Sequence, residues 1–242
     1  MKNIFQKKWL YIFCILCSTY SFSNRSYAID NYNQFRTYYF LSTPIKPNWN
    51  YVGALGYHYV TNNDNWNRIE LRNELSYRFK RDIKFTAGAR LNYVRKYHQN
   101  YQFEVRPYQA VSLTWPRLNS FNFVHRLMME ERFTWDLTGE NEMFAQGRFR
   151  YRVDTKIPIS KPALIPKSIY IRPMFETFIS FGDNIDHAYF SQNKYTVAPG
   201  YIISNNLTLE FRYELINGKS ATEHITNKKT NLFRLQLTHK LF

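Results

Sequence analysis

The sequence predicts an all-β fold, a closed antiparallel transmembrane β-barrel of about 10 to 12 strands. Three observations lead there: strict alternation of charge and grease, segments too long for a soluble sheet, and an export signal at the N-terminus. In Arg68-Ile-Glu-Leu-Arg-Asn-Glu-Leu-Ser-Tyr-Arg-Phe79 a strand puts Ile69, Leu71, Leu75, Tyr77 and Phe79 on one face and Arg68, Glu70, Arg72, Glu74 and Arg78 on the other. A soluble sandwich also alternates, but its strands average roughly 5 to 6 residues, whereas a bilayer-crossing strand needs about 9 to 11.

Read by that alternation, the chain divides into strands near 31–42, 49–60, 67–79, 83–95, 101–115, 121–134, 143–157, 168–181, 193–203, 207–216 and 231–242. The seventh opposes Gln146, Arg148, Arg150, Arg152, Asp154 and Lys156 to Gly147, Phe149, Tyr151, Val153 and Ile157. In the last two, Glu210, Arg212, Glu214, Arg234, Gln236 and Thr238 oppose Leu209, Phe211, Tyr213, Phe233, Leu235 and Leu237. An odd number of segments conflicts with the even count usual in bacterial barrels. Either 31–42 is not an ordinary strand, or one was missed or fused near Ile157 to Lys167.

Connections at 80–82, 116–120 and 204–206 are short, whereas 60–66, 182–192 and 217–230 are longer. That puts the short ones on the periplasmic side. Trp49, Phe79, Trp115 and Phe121 then belong to the periplasmic rim, and Trp66, Tyr97, Trp135 and Tyr189 to the outer one. Aromatic residues make up 19% of the chain, and such belts account for them.

Residues 1–28 read as a cleaved signal peptide: Lys2, Lys7 and Lys8, an apolar run from Trp9 to Leu16, and Ser26-Tyr27-Ala28 as a small-x-small cleavage site. The run is short for an anchor helix of roughly 20 residues, and polar residues follow at once. Both cysteines, Cys14 and Cys17, fall within it and lack the lipoprotein pattern, so a barrel at 29–242 would carry neither disulfide nor thiol chemistry. Taking residues 1–28 away removes Lys2, Lys7, Lys8 and Arg25 and leaves 214 residues of net charge +11. The basic residues are spread along strands rather than gathered on a tail or helix, which argues against nucleic-acid binding. The expected location is the outer membrane of a Gram-negative bacterium. The expected partners are its lipid and lipopolysaccharide, with the barrel-assembly machinery during biogenesis; no cofactor is implied.

Four segments resemble the uncharacterised outer-membrane family DUF2490: Arg68-Ile-Glu-Leu-Arg-Asn-Glu74, Glu104-Val-Arg-Pro-Tyr-Gln109, His125-Arg-Leu-Met-Met-Glu-Glu-Arg-Phe133 and Leu235-Gln-Leu-Thr-His-Lys-Leu-Phe242. The resemblance spans most of the chain and implies the fold and location, without an activity. The C-terminal Phe242 resembles the assembly signal of such barrels, although the apolar phase ends on Leu241.

The inward face collects Arg68, Arg72, Arg106, Arg126, Arg132, Arg148, Arg150, Arg152, Arg172 and Arg212, with Arg36, Arg78, Arg90 and Arg234 in the same phase. The carboxylates there are Glu70, Glu74, Glu104, Glu130, Glu176 and Glu210, with Asp154 and Glu214. Two readings fit. Facing Arg and Glu can fill a narrow barrel with paired charge, or unpaired arginines, above all Arg148, Arg150 and Arg152, can line a narrow anion-preferring path. Strand number does not separate them. Small porins for acidic sugars are similar in size and charge.

The competing class is an outer-membrane lipid- or lipopolysaccharide-modifying hydrolase. None of His58, His98, His125, His187, His224 and His239 has a Ser two residues on or an Asp two before, the spacing that would share one strand face. His125 falls on the apolar face as a packing residue. Asp183, Asp186 and His187 read as a solvated loop rather than a metal site. Pro107, Pro173 and Pro199 interrupt strands and are expected at bulges, since a closed barrel has no edge to absorb a missing N–H.

Overall fold

Period-two patterning of β-branched and aromatic residues against charge leaves the chain little alternative to long strands. The computed structural model describes residues 30–61, 66–95, 101–116, 121–138, 143–182, 185–219 and 227–241, which contain no helix. The strands are β1 (Asp30–Lys46), β2 (Trp49–Thr61), β3 (Trp66–Arg78), β4 (Ile83–Arg95), β5 (Tyr101–Thr114), β6 (Phe123–Asp136), β7 (Met143–Thr155), β8 (Ile157–Pro158), β9 (Ser168–Gly182), β10 (Ile185–Ile202), β11 (Leu207–Lys219) and β12 (Asn227–Lys240). Residues 1–28, read above as a signal peptide, and Tyr97, His98, Asp183 and His224 lie outside the described residues, as do the side chains of Asp186, His187 and Tyr189.

Eleven strands pair in chain order from β1 to β7, then through β9, β10, β11 and β12 back to β1. The odd count is therefore real and corrects the wholly antiparallel expectation. An odd number of up-and-down strands leaves the first and last running the same way, and β1 pairs with β12 in parallel from Asp30↔Lys228 to Ser42↔Lys240. The twelfth strand, β8, prolongs β7: Asp154↔Met174 and Ile157↔Ile171 keep one register along β9. Between them stands Pro173.

Pro173 keeps its pairing to Val197 on β10 while the ladder toward β7 opens. Pro107 pairs with Ala89, and the register to β6 resumes unshifted from Val105↔Phe133 to Tyr108↔Glu130. Pro199 pairs with Ile171, and the register to β11 is unshifted from Val197↔Tyr213 to Gly200↔Glu210. None of the three makes a bulge, contrary to expectation. Each sets its missing N–H toward one neighbour, so the ladder opens locally on one side without an inserted residue. Register shifts occur elsewhere, between Pro44 and Lys46 and at two places in β10 between Ile185 and Gln192.

Expected connection lengths are also corrected. β10 begins at Ile185, so only residues 183–184 separate it from β9, whereas 156–167 with β8 is the longer crossing at the opposite mouth. The tight β1–β2 turn is Pro47-Asn48, with Asn48 at φ 66°, a left-handed conformation that Asn tolerates. Outside those shifts the registers pair residues of like parity, so odd positions face out around most of the wall. Phe35, Leu55, Leu71, Phe149, Phe211 and Leu235 are all about half exposed there. Even positions face in. The fold thus has an apolar exterior and an ionic interior.

Candidate functional site: the arginine-rich lumen

Charged residues at the inward positions of most strands bring side chains from around the wall into contact across the interior. On β6, Glu130 accepts from Arg150 Nη1 and from Arg132 Nε, each at 3.0 Å, and lies 3.3 Å from Arg90 Nη1. Arg150 Nη2 donates to Glu176 at 3.0 Å. Glu176 pairs with Lys194 at 2.7 Å, Lys194 lies 3.5 Å from Glu214, and Glu214 is 3.1 Å from Arg234. The Arg234 guanidinium lies over the Tyr38 ring, 5.0 Å from its centre. Tyr38 Oη is 2.6 Å from His58 Nε2 and donates to Glu70 at 3.1 Å, and Arg72 donates to Glu70 at 2.8 Å. Arg90 lies within electrostatic range of Glu70 and stacks over Tyr108.

These contacts form a girdle around the barrel. Its carboxylates are withdrawn from solvent, with Glu130 at 0% exposure and Glu214 at 1%. A buried carboxylate is tolerated only when charged donors surround it, which is the arrangement found. Below the girdle, toward the β1–β2 turn, charge also alternates. Arg126 lies 3.5 Å from Glu74, Asp154 holds Arg172 at 2.6 Å and Arg152 at 3.5 Å, and Glu210 holds Arg212 at 2.7 Å and Arg172 at 3.6 Å.

Above it, one inward step toward the mouth where β2 gives way to β3, the balance breaks. Arg36, Arg68, Arg106, Arg132 and Arg148 stand on β1, β3, β5, β6 and β7, and none of the girdle's immediate upper neighbours on the other strands is a carboxylate. Arg106 pairs upward with Glu104, and Arg132 downward with Glu130. Among the described residues, Arg36, Arg68 and Arg148 have no carboxylate partner. Arg36 donates to Gln34 at 2.7 Å, Arg68 stacks over Trp66, and Arg148 reaches Ser180 at 3.4 Å and stacks over Phe178.

All ten arginines expected to line the lumen do so, around a cavity of about 460 Å³. The expected carboxylates fall at the three levels: Glu104 above, Glu70, Glu130 and Glu176 in the girdle, Glu74 and Glu210 below. The Arg148, Arg150 and Arg152 trio divides, because Arg150 and Arg152 are held by carboxylates and Arg148 is not. Sequence reasoning missed Lys194, Tyr38 and His58. Lys194 was detectable, since it shares phase with Thr196 and Ala198; Tyr38 was not, because β1 carries aromatics on both faces. Trp66 also departs from expectation: it faces the lumen under Arg68 instead of joining a rim belt. His125 does lie outside, 2.7 Å from Tyr151 Oη. Among the described residues no three His, Cys, Asp or Glu side chains are arranged to hold a metal ion.

A family model described as "Protein of unknown function (DUF2490)" matches residues 33–227, from the upper part of β1 to the first residue of β12. The chain belongs to the DUF2490 family. No characterised protein and no solved structure matches it. In this DUF2490 chain the family match covers the girdle from Tyr38 to Glu214 and all five upper arginines, and leaves out Arg234 and most of the parallel seam.

Proposed function

We propose that the protein is an outer-membrane barrel that provides a narrow passive path for anions, entered through its arginine-rich mouth. The exterior supports the membrane reading. Large apolar side chains are half exposed on every full-length strand, a surface that water would not tolerate but lipid would. The export signal fits the same location.

The observation that carries the anion reading is the upper arginine layer. All eight carboxylates are engaged by cations, seven of them in the girdle and below it, and none pairs with Arg36, Arg68 or Arg148. Unmatched charge in a low-dielectric enclosure draws the opposite ion and repels its own kind. The girdle makes the path narrow, so small conductance steps are expected. The test is single-channel recording of the refolded barrel across a KCl gradient. Reversal at the sign for chloride, weakened in an Arg36→Gln, Arg68→Gln, Arg148→Gln variant, supports the path; a silent or cation-preferring barrel defeats it.

A further inference from the structure

We propose that the upper arginine layer is a binding site for one polyvalent oxyanion, of phosphate or polycarboxylate type, and not merely a zone of positive potential. The inference deepens the proposed anion path, but its evidence is the donor geometry. Arg68 lies within electrostatic range of Arg36 and Arg106, and Arg148 of Arg132 and Arg106, with Glu70, Glu104 and Glu130 also in range, so the five guanidiniums neighbour one another through Arg106. Like charges brought this close and partly out of water repel one another. A counter-anion relieves that repulsion.

The side chains are also posed for such a ligand. Stacking on Trp66 and Phe178 engages the faces of the Arg68 and Arg148 guanidiniums and leaves N–H edges free. The Nε groups of Arg36, Arg68 and Arg106 are buried without any hydrogen-bond partner. A guanidinium offers parallel N–H donors that match the paired oxygens of phosphate or carboxylate, which a spherical halide cannot use. Arg36, Arg68, Arg106, Arg132 and Arg148 all border one cavity of about 460 Å³, which runs from their layer past the girdle to Glu74 and Arg126.

Titration calorimetry of the refolded barrel in nonionic detergent, at constant ionic strength, tests this without requiring conduction. Sodium pyrophosphate and sodium citrate are the probes, with sodium chloride as the control. Saturable binding of pyrophosphate, citrate or both is expected, and the preferred one identifies the oxyanion. Loss of any one of Arg36, Arg68 or Arg148 to Gln should weaken it by about tenfold. Single variants serve if the triple one does not refold, and Lys84→Gln at the opposite end should bind as the parent does. Absence of saturable binding by both probes, or equal binding by the arginine variants, overturns the site. Binding by a barrel that is silent in the bilayer upholds the site and removes the path; conduction without binding does the reverse.

Discussion

The ring of Tyr38 lies over Gly56, the residue directly across from it on β2. A Cβ at Gly56 would come within 2.4 Å of that ring. Tyr108 covers Gly88 and Tyr170 covers Gly200 in the same cross-strand relation. All three tyrosines are buried inside the wall, and Tyr38 and Tyr108 then serve the girdle, one through its hydroxyl and ring, the other as the platform for Arg90. The missing side chain thus seats an aromatic ring that orders ionic neighbours. Gly56→Ala should destabilise the barrel by about 1 to 3 kcal/mol, the cost of overpacking. Urea unfolding should show most of that cost disappearing in a Tyr38→Ala background, because the two sites interact only through the ring. Equal cost in both backgrounds would refute the seating role.

Arg150 joins two carboxylates of the girdle, Glu130 and Glu176, through its two terminal nitrogens. Each acid keeps other cations, Arg90 and Arg132 for Glu130 and Lys194 for Glu176. Replacing Arg150 by Gln should therefore cost about 1 to 3 kcal/mol, below the roughly 3 to 5 expected when a buried charge loses its sole partner. Conductance should rise, since the link that ties β6 to β9 across the front of β7 is gone. A variant as stable as the parent with unchanged conductance would show that the girdle holds without this link.

Pro173 separates β7 from β8 although the two share one register. Pro173→Val should supply the missing donor opposite Thr155 and close the gap. Amide hydrogen exchange at residues 155–157 should slow, with assembly intact as read by the heat-modifiable gel band. Faster exchange, or loss of the folded band, would mean that the opening is required.

Most of the wall was legible because the exterior and the lumen carry opposite polarity on successive residues, and that signal survives along most strands. It failed where both faces or neither carried it. Tyr38, Tyr39 and Phe40 are aromatic on both sides, which hid the inward role of Tyr38. Asp183, Asn184, Asp186 and His187 are polar throughout, so the start of β10 read as loop. The bulges expected at Pro107, Pro173 and Pro199 came from treating a strand as needing every N–H, whereas one side of the ladder can open alone. Individual arginines were legible as inward, but their pairing was not. Which of them lacks a carboxylate depends on the register of adjacent strands and, for Arg90, Arg126 and Arg172, on strands farther round the wall, and periodicity carries no information about either.

The direction of the closing pair was equally invisible, since alternation is the same for parallel and antiparallel neighbours. It can be tested directly. Thr37 pairs with Leu235 and both face outward, so a Thr37→Cys, Leu235→Cys variant should form a disulfide on mild oxidation. So should Tyr39→Cys with Leu237→Cys, whereas Tyr39→Cys with Phe233→Cys, the pair that an antiparallel seam through Thr37 and Leu235 would bring together, should not. All these variants start from strands without cysteine, as Cys14 and Cys17 precede β1. Thiol titration and gel mobility after proteolysis between the two positions read the result. Cross-linking of Thr37 with Leu235 and of Tyr39 with Leu237 fixes the parallel seam and with it the count of eleven, whereas cross-linking of Tyr39 with Phe233 would make the seam antiparallel.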